Sequence, residues 1–366
     1  MKHIRSSNDT ITSLQALRAC AALLVVLYHM GLSNYQTKNA YFTHFFNFGF
    51  SGVDIFFVLS GFIIYYSTIR KPNLTAFEFL LRRLIRIFPI YWVAIIATLA
   101  AFSIQIFYPT LFTSHQLVYD AVKTGGAAFI LNSFLLLPFA HPSLLAVSWT
   151  LSFEMLFYLL FGLFFFRSKK LFLVILVFWV CACFFALPIY HINYFSNSSG
   201  AFLPVLNPIV SEFLFGCFVA ILAVKNNHAY SKTALILGVI FFSISVIAHA
   251  EGNVYSEFSY GLPAAFIIYG FSGMQFNIPS FFTYLGDASY SIYIFHVPML
   301  SFLGKSTFLF EKIGNTSASI LILIAIVLIS CLIHSYIENP LLKFFRKKLL
   351  PYKEKKVIEI AELSPT

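Results

Sequence analysis

Charged side chains are scarce in this chain of 366 residues. Asp, Glu, Lys and Arg make up 10% of it, whereas 59% of the residues are hydrophobic and 46 are Phe. Soluble domains contain about 25% charged and about 45–50% apolar residues. A water-soluble core of this size could not bury so many large apolar side chains, so we expect lipid to cover many of them. The composition also excludes a disordered chain, which would be polar and highly charged.

Cysteine is also sparse and is poorly placed for structural chemistry. The chain has five Cys, an odd number, and every one lies inside an apolar run. This pattern excludes a disulfide framework and the paired Cys and His spacing of a zinc site. We therefore expect no bound metal, and we interpret the cysteines as small apolar side chains.

Long apolar runs, in contrast, are abundant. A helix needs about 20 apolar residues to cross a bilayer, and about ten runs have that length. They cover 14–32, 50–69, 87–108, 145–166, 171–190, 201–223, 233–249, 259–274, 284–303 and 316–337. The apolar segment 127–138 is shorter, which is typical of a re-entrant segment. The pattern predicts an all-α polytopic membrane protein with about ten transmembrane helices and one short re-entrant segment.

The distribution of Lys and Arg predicts the orientation. With a cytoplasmic N-terminus and a re-entrant 127–138, only Lys38, Lys123, Lys305 and Lys312 lie outside. Such a bias is typical of the positive-inside rule, so we expect both termini in the cytoplasm. Residues 1–337 would form the membrane domain and 338–366 a basic cytoplasmic tail. Topology and contact with anionic lipid account for the net charge of +10, so no nucleic-acid partner is expected.

Two ionisable residues share the first predicted helix. Arg18 and His29 are eleven positions apart. In a helix this separates the two side chains by only about 20° around the axis, so they share one face, and by about 16 Å along the axis. Charged groups inside spans are costly and usually face the protein interior, where they serve a function. This distance excludes direct proton transfer between the two side chains, but one elongated ligand could contact both.

Other ionisable residues fall at the two ends of the predicted bundle. Asp54 and Glu154 lie in the outer half with His29, although Asp54 is equally well explained as a helix cap. Arg83 and Arg86 lie one helical turn apart at the inner end and are suited to bind phosphate together.

Histidine is a natural general base for a sugar hydroxyl. On these residues alone, an enzyme that transfers a group across the membrane and a secondary transporter or lipid-linked glycan flippase both remain open. A scaffold protein is a third reading that no feature of the chain supports.

Several motifs favour the enzyme, and the transporter or flippase stays the alternative. The motifs lie at 14–29, 49–62, 82–92, 148–158, 290–296 and 338–340, and they include the Arg and His of the first helix, the segment GFSGVDIFFVLSGF and the segment RRLIRIFPIYW. In residue content and order they resemble the integral-membrane acyltransferase type 3 family over nearly the whole chain. The stretch around Glu154 is most similar to the branch that acetylates exopolysaccharides.

The resemblance implies a bacterial inner-membrane enzyme. It would transfer an acyl group, usually acetyl from cytoplasmic acetyl-CoA, to a hydroxyl of a surface or exported polysaccharide such as O-antigen, capsule or exopolysaccharide. By the same resemblance, His29 would be the catalytic base, Arg18 and Glu154 would assist, and Arg83 and Arg86 would bind the coenzyme phosphates. Asp54 and His296 would support the substrate site. Some members carry a fused extracytoplasmic domain, for which this chain has no room after 337. We expect the membrane part of this chain to act alone or with a separate extracytoplasmic partner.

Overall fold

The computed structural model describes residues 7–32, 45–108, 129, 131, 133–136, 143–190, 207–225, 229–250, 257–305 and 307–350. Every regular element within these ranges is helical. The α-helices are α1 (Ser7–Met30), α2 (Gly52–Ile69), α3 (Ala76–Phe107), α4 (Ser148–Leu160), α5 (Lys169–Tyr190), α6 (Val210–Val224), α7 (Ser231–Ala250), α8 (Leu262–Gly273), α9 (Ser280–Asp287), α10 (Ser289–Leu303), α11 (Thr307–Ile313), α12 (Asn315–Ile333) and α13 (Asn339–Leu349). A 3₁₀ turn, Asn47–Ser51, precedes α2, and π-helical turns cover Phe161–Phe165, Glu257–Gly261 and His334–Glu338.

The all-α prediction is confirmed, whereas the number of membrane spans is not. Within the described residues, six helical segments are long and apolar enough to cross a bilayer: Thr12–Met30, Asn47–Ile69, Ala76–Ala101, Ser148–Phe165, Ser231–Ala248 and Asn315–Leu349. Val210–Val224 and Ser289–Leu303 are shorter apolar helices. The count of ten spans and the cytoplasmic termini stay predictions. Half of the proposed re-entrant segment 127–138 lies outside the described residues, which include only 129, 131 and 133–136 of it.

The predicted span 284–303 is divided in the structure. Helix α9 ends at Asp287 and α10 begins at Ser289, with Ala288 between them. Gly286 explains part of this geometry, because a Cβ at this position would lie 2.1 Å from the Gln15 carbonyl oxygen of α1. Only glycine permits such close contact between backbones. The break therefore lets α9 and α10 both pack along α1.

Residues 338–350 belong to the helical body rather than to a detached tail. Glu338 is fully buried, and Leu342 and Leu350 of this segment pack on Ile85 of α3. The described part of the predicted tail therefore packs on α3, and the division between a membrane domain and a tail at 337 stays a prediction. Residues 339–349 pack in this way because the buried face of α13 is apolar, although the helix carries basic residues on its other faces. Residues 351–366 of the predicted tail lie outside the described residues.

The core is built around a close crossing of α2 and α6. A Cβ at Gly61 would lie 2.3 Å from the Phe213 carbonyl oxygen, and one at Gly216 would lie 2.1 Å from the Val58 carbonyl oxygen. Small residues allow membrane helices to approach in this way. Next to the crossing, the rings of Phe157 and Phe213 stack with 4.2 Å between their centroids.

One helix shows the surface expected to face lipid. Large apolar side chains on α7 are exposed: Ile236, Leu237, Val239, Ile240, Phe241, Ile244 and Ile247. A soluble monomer rarely exposes such a continuous apolar surface. This surface supports the prediction that lipid covers the hydrophobic excess.

Candidate functional site

A basic cavity lies at the start of α3. The helix begins with a capping box, in which Glu78 N donates to Thr75 Oγ1 at 3.2 Å and Thr75 N donates to Glu78 Oε2 at 3.0 Å. This cap fixes the first turn, so the arginines of the next turns point in defined directions. The basic cavity has a volume of about 260 Å³, and its polar lining consists of Ser67, Thr68, Lys71, Arg82, Arg83, Arg86 and Arg346.

The cations of the basic cavity are close enough to affect one another. Lys71 lies in the loop after α2 and is exposed over much of its surface. Desolvation and the positive charges of Arg82, Arg83 and Arg346 nevertheless lower the pKa of its amine. Like charges at short range disfavour the charged form of each group. An anion bound here would relieve that repulsion.

Arg83 and Arg86 are held by different partners. The Arg83 guanidinium lies over the rings of Phe79 and Tyr158, at 5.3 and 5.5 Å from their centroids. Arg86 Nη1 forms a salt bridge with Glu338 Oε1 at 2.5 Å. Aromatic faces hold a guanidinium without neutralising it. Arg83 therefore keeps its full charge for a ligand, whereas the charge of Arg86 is partly balanced.

The Glu338 carboxylate is satisfied on both oxygens although it is fully buried. Besides Arg86, it accepts hydrogen bonds on Oε2 from Ser291 Oγ at 2.7 Å and from His334 Nδ1 at 2.8 Å. His334 Nε2 lies 3.2 Å from Asn339 Nδ2. Such a network holds its members in one geometry because a partly satisfied buried charge is costly. Glu338 thereby fixes Arg86 between α3, α10 and the end of α12.

A second, central cavity continues from the basic cavity into the bundle. It has a volume of about 150 Å³, and Arg83 and Arg86 line both cavities. The other polar residues of its lining are Arg18, Ser60, Thr150, Glu154, Tyr158, Ser289, Tyr290 and Tyr293. The shared arginines place the two cavities next to each other.

Glu154 is the carboxylate of the central cavity. Its Oε1 accepts hydrogen bonds from Ser60 Oγ at 2.9 Å and from the Tyr158 hydroxyl. Deeper in the same cavity, the hydroxyls of Thr150 and Tyr293 lie 2.7 Å apart. These contacts join α2, α4 and α10, so the cavity wall is held by polar contacts.

Arg18 reaches the central cavity from α1. Its Nη1 donates to Gln15 Oε1 at 2.9 Å, and Gln15 Nε2 in turn donates to Asp287 Oδ1 at 2.5 Å. This chain leaves the other nitrogens of the guanidinium available in the cavity. Arg18 thus adds a third guanidinium to those of Arg83 and Arg86.

His29 and His296 form a separate pair beyond the central cavity. Their ring centroids are 4.8 Å apart in an edge-to-face arrangement, and the centroids of His296 and Tyr293 are 5.9 Å apart. His29 Nδ1 lies 2.9 Å from the Val25 carbonyl oxygen, and His296 Nδ1 lies 2.6 Å from that of Tyr293. A carbonyl only accepts, so each neutral ring carries its hydrogen on Nδ1. Each Nε2 then has a lone pair that can take a proton.

The structure brings the predicted site residues together in two groups. Arg18, Glu154, Arg83 and Arg86 line the central cavity. His29 and His296 contact each other but are not among the residues that line it. Asp54 belongs to neither group: it is buried in the first turn of α2 and interacts electrostatically with Tyr260. The N-cap of α2 is Ser51 rather than Asp54, and the catalytic and binding roles of all the predicted site residues stay predictions.

Sequence reasoning gave no role to several residues that line the basic cavity or hold Arg86 in place. Glu338 and His334 are four residues apart at the end of an apolar run, a spacing that joins side chains on one helix face. That spacing was a usable signal for their pairing. Lys71 and Arg346 gave no such signal, because basic residues at helix ends are expected from topology alone. Among the described residues, no three His, Cys, Asp or Glu side chains are grouped as metal ligands would be.

Comparisons with known proteins place the chain in one family of acyltransferases. Residues 11–335 match the acyltransferase domain of the acyltransferase type 3 family. The chain is 28% identical over 317 residues to the exopolysaccharide production protein ExoZ of Rhizobium meliloti, a match that covers 82% of this chain and 92% of ExoZ. It is 26% identical to the putative peptidoglycan O-acetyltransferase YrhL of Bacillus subtilis, over 93% of this chain and 56% of YrhL.

A third relative is named as an acyltransferase, without reference to a polysaccharide. The chain is 24% identical to the acyltransferase MdmB of Streptomyces mycarofaciens, over 92% of this chain and 93% of MdmB. No solved structure matches the chain. The family match decides between the enzyme and the transporter readings in favour of the enzyme, and the apolar helices agree with a membrane location. The chain belongs to the acyltransferase type 3 family and is a membrane O-acyltransferase.

Proposed function

We propose that the protein transfers acetyl from cytoplasmic acetyl-CoA to a hydroxyl of a surface or exported polysaccharide. The observation that carries the proposal is the pair of joined cavities, which share Arg83 and Arg86. One cavity suits phosphates and the other suits a narrow, uncharged arm with a polar end. Acetyl-CoA has this order of groups, from its phosphates through pantetheine to the thioester.

The donor would enter at the basic cavity. Guanidinium groups bind phosphate oxygens through paired hydrogen bonds, and Arg83 and Arg86 sit where the two cavities meet. The diphosphate would lie at these two residues. Because Arg83 has no carboxylate partner within the described residues, its charge is available to the ligand.

The reaction would use His29 as the general base. Its Nε2 takes the proton of the acceptor hydroxyl as that oxygen attacks the carbonyl carbon of the thioester. The new C–O bond forms, the C–S bond breaks, and the coenzyme leaves as a thiolate that takes up a proton. The Val25 carbonyl holds the hydrogen on Nδ1 and so keeps Nε2 free for this step. The described cavity ends near Tyr293, so the acetyl group would approach the histidine pair from there.

The names of two relatives support the proposed acceptor and location. They refer to exopolysaccharide production and to peptidoglycan O-acetylation. A hydroxyl of a glycan in the outer half of a bacterial inner membrane is therefore the proposed acceptor. His29 supports this location because its predicted place is in the outer half of the first span, opposite the basic cavity. The proposed transfer step takes its base, His29, from this chain and does not use a separate extracytoplasmic protein.

The direct test compares the surface polysaccharide of the strain that carries the gene with that of a deletion strain. Mass spectrometry and NMR are expected to show an O-acetyl ester in the first that is missing in the second. Complementation with the intact gene restores the ester, whereas an Arg83→Gln/Arg86→Gln double variant does not. Identical acetylation in the wild-type and deletion strains would contradict the proposal.

The donor is tested separately with purified protein in nanodiscs. Isotope-labelled acetyl-CoA and the polysaccharide from the deletion strain are expected to give labelled glycan. The matched control is Arg70→Gln, because Arg70 lies at the end of α2 and stacks on Tyr66 without lining either cavity. Label transfer by this control but not by the double variant supports the assignment of the donor site.

A further inference from the structure

The basic cavity has more cationic groups than a diphosphate at Arg83 and Arg86 would use. Lys71, Arg82 and Arg346 line only this cavity, on the side away from the central one. They come from three different parts of the chain: the loop after α2, the first turns of α3 and the last turn of α13. Such convergence of like charges is costly without a ligand, since each one weakens the protonation of the others.

Carboxylates do not balance these charges fully. Glu78 acts on Arg82, and Glu338 is bound to Arg86. Within the described part of the chain, Lys71, Arg83 and Arg346 form no salt bridge. The cavity therefore carries a net positive charge that is suited to an anion.

Two buried donors also lack acceptors in this cavity. The Thr68 side chain is 4% exposed, and its hydroxyl has no hydrogen-bond partner among the described residues. The same is true of the buried Nε of Arg83. Buried polar groups are nearly always satisfied, so an unsatisfied pair that lines a cavity points to a ligand with acceptor oxygens. A phosphate group supplies three of them.

We infer that the part of the basic cavity farthest from the central cavity, formed by Thr68, Lys71 and Arg346, binds a phosphate monoester, the 3′-phosphate of coenzyme A. This inference rests on the proposed function. In coenzyme A, the diphosphate separates the pantetheine arm from the 3′-phosphoadenosine. If the arm lies in the central cavity and the diphosphate lies at Arg83 and Arg86, the 3′-phosphate lies on the opposite side, where Lys71 and Arg346 are. The site then selects coenzyme A over donors that end at the diphosphate or at a phosphopantetheine.

The test measures binding of CoA and 3′-dephospho-CoA to the full chain in nanodiscs of neutral lipid. Wild-type protein is expected to bind CoA about tenfold or more tightly than 3′-dephospho-CoA, because a charge-assisted contact to a phosphate is lost. Arg346→Gln and Lys71→Gln are expected to weaken CoA binding towards that level and to leave 3′-dephospho-CoA binding unchanged. Equal affinity of the wild type for both ligands overturns the inference.

Lys348→Gln is the matched control. Lys348 lies in the same helix as Arg346, but its amine lies over the Phe344 ring and does not line the cavity. It is expected to bind both ligands as the wild type does. If all three variants weaken both ligands equally, the effect is general electrostatic attraction and the inference is wrong. Arg346→Lys and Lys71→Arg retain the charge and are expected to retain the preference, which separates loss of the site from misfolding.

Anionic lipid is the other source of a phosphate group at this position. Repeating the measurement in nanodiscs with phosphatidylglycerol distinguishes the two. If the 3′-phosphate is the ligand, the preference for CoA persists in both lipids. If the preference disappears in anionic lipid and Arg346→Gln has no effect there, the cavity binds a headgroup and the inference is wrong. Failure of both CoA and 3′-dephospho-CoA to bind in any lipid contradicts the proposed donor itself, which is a separate result.

Discussion

The basic end and the histidine end of this bundle are built in opposite ways. At the basic end, cations from the loop after α2, from α3 and from α13 converge, and the buried carboxylate of Glu338 fixes one of them, Arg86. At the other end, two imidazoles contact each other, and each is held by a backbone carbonyl of its own helix. The first arrangement depends on contacts between helices, whereas in the second each ring is oriented by its own helix and only the contact between the two rings is tertiary.

This difference indicates that the two ends have different functions. A site made of fixed charges suits binding of an anion, whereas a ring with a free lone pair suits transfer of a proton. Changes at the basic end are therefore expected to raise the KM for the donor. Changes at the histidine end are expected to lower kcat. Kinetics of single variants can break or sharpen this distinction.

The largest effect is expected for His29→Gln. Loss of the general base should lower kcat by about 10²–10⁴-fold and leave the KM for acetyl-CoA near the wild-type value. Initial rates of label transfer at several donor concentrations give both constants. Cys20→Ser, an exposed change on the same helix, is the control. A His29→Gln enzyme with normal kcat would remove His29 from the reaction.

Glu338→Gln is expected to affect both stability and donor binding. It leaves Arg86 without its salt bridge, which costs about 3 kcal/mol, near the low end for a buried pair because the Arg86 side chain is 25% exposed. The apparent Tm in detergent should fall, and the KM for acetyl-CoA should rise about tenfold as Arg86 loses its position. The exposed Glu311→Gln is the matched control. A changed kcat with an unchanged KM would argue against a role at the donor end.

His296→Phe keeps an aromatic ring beside His29 and removes both nitrogens. We expect kcat to fall about tenfold, the effect of one hydrogen-bonding group near the reacting atoms. The double variant His29→Gln/His296→Phe should be no slower than His29→Gln alone, because the two residues act together. Fully additive losses would show that His296 acts independently of His29.

Ser60→Ala is expected to have the smallest effect. The hydroxyl is one of two that donate to Glu154 Oε1, and Tyr158 remains to satisfy the carboxylate. The free energy of unfolding should decrease by about 1 kcal/mol, with kcat and KM each changed by a few-fold at most. Thermal unfolding and steady-state rates are measured beside Ser243→Ala, an exposed serine whose hydroxyl bonds only to its own helix. A loss as large as that of His29→Gln would place Ser60 in the chemistry.

The sequence predicted the helical class and the four charged residues of the central cavity for clear reasons. Apolar runs of bilayer length specify helices locally, and ionisable residues inside such runs are rare enough to mark a site. Arg18, Arg83, Arg86 and Glu154 were found in this way and do share one cavity. The break at Ala288 was not predicted, because the apolar character of the sequence continues across it.

The partners of those residues could not be predicted in the same way. Arg86 and Glu338 are 252 positions apart, and no local pattern assigns one to the other. The place of Arg346 in the basic cavity likewise depends on how α13 packs against α3. These are long-range contacts, whose existence depends on the relative position of whole helices.

The sequence by itself determined that this protein is helical and apolar and that a few charged side chains lie along its helices. Local hydropathy and helix geometry are sufficient for that result. Only the tertiary structure decided which of these side chains meet, since the close crossings at Gly61 and Gly286 set the spacing between helices. Packing at such glycines depends on the surfaces of both helices, so the sequence of one helical segment does not specify it.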